Sequence, residues 1–148
     1  MATKLSLGLG VATFAIVLSL LSRPGLSSAM TCRGADPAVV SVVVAGMQSD
    51  GHLNRYALKA KVVNLGRMGQ AANTLQFVDI YKGETKLDSR GIPPLRAGQA
   101  FTFTYVSMRS AQAGRKTTAL MFKMNVRRPS QSGRQDCNAG NGITMVRF

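Results

Sequence analysis

Tryptophan is absent from this chain, histidine occurs once, cysteine twice, and only six of its 148 residues are acidic. Each shortage removes a class of function. The carboxylates Asp36, Asp50, Asp79, Glu84, Asp88 and Asp136 are scattered, whereas general acid–base chemistry needs a positioned pair with separated pKa values. Asp79 is expected on an outward strand face and the others in turns or flanks. Asp50 and His52 could form a dyad, but the single polar turn Gln48–Asn54 supplies both and no nucleophile motif accompanies them. His52 is therefore read as a solvated loop residue. Two cysteines without CxxC spacing and one histidine exclude the common zinc patterns, and neither a phosphate-binding glycine loop nor a dinucleotide fingerprint occurs. Three tyrosines and no tryptophan leave little for base stacking. The sequence thus predicts no enzyme, no cofactor and no metal site, and gives no support for specific nucleic-acid binding.

What is present begins with an export signal. Lys4 forms a short basic region, Leu5–Leu21 is apolar, Pro24 follows, and Ser27-Ser28-Ala29 fits a small-x-small cleavage pattern after Ala29. An uncleaved membrane anchor is the competing reading, since the run approaches the roughly 20 residues that span a bilayer. Gly8, Gly10 and the small-residue end favour cleavage. A lipoprotein signal at Cys32 is set aside because Thr31 is a poor fit before it. Cleavage leaves residues 30–148, a single-domain length with no transmembrane segment.

The remainder reads as strands. In Arg55–Val63 the residues Tyr56, Leu58, Ala60 and Val62 alternate with Ala57, Lys59, Lys61 and Val63, which puts an apolar row inward and two lysines outward. Asn64-Leu65-Gly66 and Gly69 break the run. Leu75–Tyr81 follows, with Val78 and Ile80 on one face, and Lys82-Gly83-Glu84 reads as a hairpin tip with Thr85-Lys86-Leu87 returning. Pro93 and Pro94 make Gly91–Gly98 a connection. Phe101, Phe103 and Tyr105 alternate with Thr102, Thr104 and Val106 in a half-buried strand. Val39–Ala45 is expected to be buried on both faces or shielded at an edge. Thr117–Val126 places Leu120, Phe122, Met124 and Val126 on one face; Ser130–Asn141 is a Gly/Ser/Asn loop, and Ile143–Phe148 closes the domain. Met121 and Met124 are read as packing rather than a soft-metal site, while Met68 and Met108 sit beside turns. Seven strand candidates with regular turns predict an all-β, antiparallel sandwich preceded by a signal-peptide helix over 1–29.

Three groups of residues, Val63-Asn64-Leu65-Gly66, Tyr81-Lys82-Gly83, and Leu95-Arg96-Ala97-Gly98-Gln99 with Phe101 and Phe103, carry a resemblance. Over roughly residues 36–148 the chain resembles the cell-adhesion-related domain found in bacteria (CARDB). The resemblance implies a seven-stranded immunoglobulin-like or fibronectin-like sandwich, extracellular in setting. Members commonly carry an acidic, asparagine-rich segment before the last strand. Gln135–Asn141 keeps the asparagines with a single acid, so no cation site is carried over.

In immunoglobulin-like sandwiches the first and last strands can run side by side and parallel. Cys32 and Cys137 each lie six residues before the expected starts of those strands, Ala38 and Ile143. An exported setting and an even count then predict a disulfide between them. Closing a loop of about 100 residues would stabilise by up to ~4–5 kcal/mol on the chain-entropy model.

Charge is the remaining clue. The net charge is +13, or +11 once Lys4 and Arg23 leave with the expected signal (19 − 2 − 6), which is beyond what solubility needs and attracts polyanions and acidic partners. Basic residues gather around Lys59 and Lys61, in Arg109–Lys116, and at Arg127, Arg128 and Arg134. Arg109, Arg115, Lys116, Arg127, Arg128 and Arg134 are the candidate anion- or partner-binding residues. The expected function is an exported, non-enzymatic interaction module of structural or adhesion type, secreted or periplasmic, recognising a protein partner. The alternative is a cationic binder of envelope polyanions through basic loops: lipopolysaccharide, an anionic membrane surface or acidic polysaccharide.

Overall fold

Side chains that alternate in polarity along a strand can bury one row only if a second layer covers it. The computed structural model, which describes residues 34–113, 117–127 and 142–148, solves this with two antiparallel sheets. In chain order the strands are β1 (Pro37–Ser49), β2 (Leu53–Asn64), β3 (Leu75–Lys82), β4 (Thr85–Ile92), β5 (Ala100–Ser110), β6 (Ala119–Arg127) and β7 (Ile143–Arg147). One sheet has the order β1-β2-β5 and the other β4-β3-β6-β7. The described part is therefore an all-β sandwich, with one short 3-10 turn at Ala111–Ala113 and no α-helix among the described residues. The expected signal segment 1–29, Cys32 and Cys137 lie outside the described residues.

The alternation read from β2 holds. Leu58, Ala60 and Val62 are buried and face Val78, Ile80, Leu120 and Phe122 of the other sheet. Phe101, Phe103 and Tyr105 pack half-buried against this core, and Phe122 meets Tyr105 edge-on with centroids 6.2 Å apart. A two-residue loop, Gly83-Glu84, joins β3 to β4. Gly83 has φ 58° and no non-glycine residue has positive φ among the described residues, which fits a type II′ hairpin.

Three expectations need correction. Gly91 and Ile92 belong to β4, so the connection starts at Pro93. Strand β1 runs on to Ser49 because the Asp50 turn lets it pair with β2 along the whole length of both strands. Nor is β1 buried or shielded as Val39–Ala45 was expected to be. Val39 and Val42 are buried, but Val40 is exposed, Val43 is exposed on the outer face beside Lys59, and Val44 and Met47, beside the inward Leu58 and Tyr56, are exposed because β1 is a sheet edge that outruns its cover.

The two edge strands β1 and β7 face each other across the open side of the sandwich. The Thr144 hydroxyl donates to the Val39 carbonyl. Farther along, Phe148 stacks on Tyr56, whose partner in β1 is Met47, so the two strands point the same way. They belong to different sheets and are not joined by a ladder.

Candidate functional site

Asn64, Gly66 and Leu95, three of the residues on which the resemblance rests, clasp one end of the sandwich. Asn64 is fully buried at the end of β2, and its amide uses all four hydrogen-bonding positions. The backbone N–H groups of Asp36 and Gly66 donate to Oδ1 at 2.8 and 3.1 Å. Its Nδ2 donates to the carbonyls of Met68 and Leu95 at 2.9 and 3.1 Å. One side chain thus ties the segment entering β1 to the β2–β3 and β4–β5 connections. Beside it, Gln70 and Gln76 exchange amide hydrogen bonds at 2.7 and 2.9 Å, and the Leu95 N–H donates to Gln70. The conspicuous motif is therefore a structural device, not a site.

The basic candidates do not come together. Arg109 lies near the end of β5, where its Nη1 donates to the Phe148 carbonyl at 3.0 Å beside the Tyr56 ring. Arg127 ends β6 at the other end of the sandwich, opposite Leu75, with its guanidinium 5.5 Å from the Phe77 ring centre. Arg115, Lys116, Arg128 and Arg134 lie outside the described residues.

Asp50 and Asp79 are occupied in local structure. The Asp50 carboxylate accepts the backbone N–H groups of His52 and Leu53 at 3.0 and 2.7 Å, which fixes the β1–β2 turn. Those two hydrogen bonds, Leu53 first, hold its carboxyl below the usual range. Asp79 is on the outer sheet face, as expected, but is only 3% exposed. Lys86 Nζ lies 2.7 Å from Oδ1, the Ser89 hydroxyl donates to the same oxygen at 2.6 Å, and Asn125 donates to Oδ2 at 3.1 Å. Burial alone would raise its pKa, but the hydrogen bonds from Lys86, Ser89 and Asn125 outweigh it and keep the carboxyl low.

A folded-state pKa below the unfolded value means a contribution present above about pH 4 and lost as pH falls through the folded value. The acid-side fall in the urea midpoint is therefore expected to flatten in Asp79→Asn. An unchanged fall would assign acid sensitivity to other carboxylates.

The surface that stands out is β1. Its thirteen residues contain no charged side chain, unlike each of the other six strands among the described residues. An edge strand of the other sheet, β4, carries Lys86, Asp88 and Arg90, with Arg90 Nε 2.8 Å from Asp88. Val43 is 53% and Met47 57% exposed on β1. Two bulges, between Val39 and Ser41 and between Val44 and Gly46, are the devices that blunt this edge. Charge clusters do not point to this strand; its signal in the sequence is a run of valines with no charged neighbour.

Among the described residues, no three of His, Cys, Asp and Glu gather as a metal site requires. No protein-family model, curated protein or solved structure matches the chain.

Proposed function

We propose that this chain is an exported, non-enzymatic interaction module of the cell envelope or extracellular space that recognises a protein partner along β1. The observation that carries this is the uncharged, apolar, exposed edge of β1 on a protein whose other strands all bear charge. An unpaired strand edge offers backbone donors and acceptors to an extended segment of another chain, and flanking side chains set specificity. Valines of β1 would supply the apolar contacts of such an added strand.

The fold reading within this proposal is the fibronectin-like form of the sandwich. In the constant-type immunoglobulin arrangement the fourth strand lies beside the fifth, whereas β4 here pairs with β3. A disulfide between Cys32 and Cys137 belongs to the same proposal. It draws support from β1 and β7, which start at the same end of the sandwich and lie along the same open side.

The test places a photoreactive amino acid at Val44 or, as control, at Leu87 on β4, both exposed. Crosslinking is read in an envelope extract of the source organism at about 1 M salt, where the Debye length is ~3 Å. One partner crosslinked from Val44 and not from Leu87, and lost in Val43→Lys, is the expected result. Crosslinking that vanishes with salt would favour charge-driven binding through basic loops. Equal crosslinking from both positions would remove β1 as the docking edge.

A further inference from the structure

The sheet that carries the β1 edge also has an outer face, and its chemistry differs from that of the edge. Strands β1, β2 and β5 contain no acidic residue. Along β2, Arg55, Lys59 and Lys61 are exposed on this face, with Ala57 between them. Register places Val43 and Thr104 beside Lys59, Ser41 and Thr102 beside Lys61, Val106 beside Ala57, and Met108 beside Arg55. Val106 is 48% and Met108 61% exposed. Asp50, in the adjoining turn, is the acid that acts on Arg55; the two lysines have no acidic neighbour in the three strands. The result is a cationic face about 20 Å long, with apolar side chains standing between the charges.

We infer that this face lies on an anionic phospholipid surface. A soluble polyanion is satisfied by charge alone and gains nothing from exposed valine and methionine. A bilayer interface offers both anionic headgroups for Arg55, Lys59 and Lys61 and acyl carbon for Val43, Val106 and Met108. Geometry links this to the β1 edge without depending on it. A strand's free hydrogen-bonding groups point in the plane of its sheet, so a sheet lying flat on a membrane still presents β1 sideways to a partner at that surface.

The test is a lysine-acetylation footprint of the full chain on phosphatidylglycerol vesicles and on phosphatidylcholine vesicles. An N-terminal apolar anchor would hold the chain on both, so the contrast between lipids isolates the face. Lys59 and Lys61 are expected to react at least ~5-fold more slowly on the anionic vesicles, with Lys82 and Lys123 changed less than about twofold. In Val106→Thr/Met108→Thr, where threonine keeps strand propensity, the protection should fall several-fold at unchanged net charge. Uniform protection of all four lysines, or none, overturns the proposal. Equal protection by soluble dextran sulfate, indifferent to the Val106 and Met108 changes, overturns it in favour of a polyanion site.

Discussion

Asn64→Ala is expected to lower the unfolding free energy by about 4 kcal/mol, because it removes four hydrogen bonds of one side chain at once. The N–H groups of Asp36 and Gly66 lose their acceptor, and the carbonyls of Met68 and Leu95 lose a donor. Water entering the gap would recover part of this, which is why the figure stays below the sum of four separate losses. A domain of this size has only about 5–15 kcal/mol in hand, so the variant should be near the limit of folding. Asn64→Asp separates the role of the donor from that of shape. Its carboxylate can still accept from Asp36 and Gly66, but it faces two carbonyl oxygens with no proton to offer. Burial and those carbonyls push its folded-state pKa up, against the two N–H groups that pull it down, and the net direction expected is up. A raised folded value gives stability that is present below the unfolded pKa and lost as pH rises through the folded one. Asn64→Asp should therefore be worst at neutral pH and partly recover in acid, opposite in sign to the Asp79 contribution. Urea denaturation across a pH series measures both. A cost below about 1 kcal/mol for Asn64→Ala would mean that water replaces the amide.

How much of this was legible follows from the range of each interaction. Alternation is local, so β2, β5 and β6 and their inward residues, from Leu58 to Phe122, could be read directly from the chain. The turn at Gly83-Glu84 was equally local. What could not be read was anything set by a partner distant in sequence. Asp79 was expected on an outward face and is there, but the neighbours that bury it come from β4 and β6. The valines of β1 look like core because core valines and edge valines are the same residues; only the extent of the covering sheet distinguishes them. Asn64 and Gly66 were visible as turn residues, while their partners Asp36 and Leu95 lie 28 and 31 residues from Asn64. Charge misled in the other direction, since Arg109 and Arg127 belong to one composition pattern but to opposite ends of the sandwich.

Gly66→Ala should be nearly as costly as loss of Asn64, at about 3 kcal/mol, but by a different route. A Cβ at this position would lie 2.1 Å from the Gly34 carbonyl oxygen, 2.7 Å from the Asp36 nitrogen and 2.9 Å from the Ala35 carbonyl carbon. All three are backbone atoms, so no side-chain rotation can make room. Segment 34–36 must lift away, and it takes with it the hydrogen bonds from Leu65 N–H to Asp36 and from Met68 N–H to Gly34, 2.8 and 3.4 Å long. Loss of amide protection at Asp36 and Leu65, with Val78 and Phe122 still protected, is the expected hydrogen-exchange pattern. The double variant Asn64→Ala/Gly66→Ala should cost less than the two single changes added, because each breaks the same Asp36–Asn64 bond. Additivity within about 0.5 kcal/mol would show two independent contacts instead of one clasp. The consequence reaches β1, which begins at Pro37, the residue after Asp36. If β1 is the docking edge, Gly66→Ala weakens crosslinking from Val44 while leaving every exposed β1 side chain in place. Undiminished crosslinking in that variant would mean that β1 is held by its pairing with β2 alone.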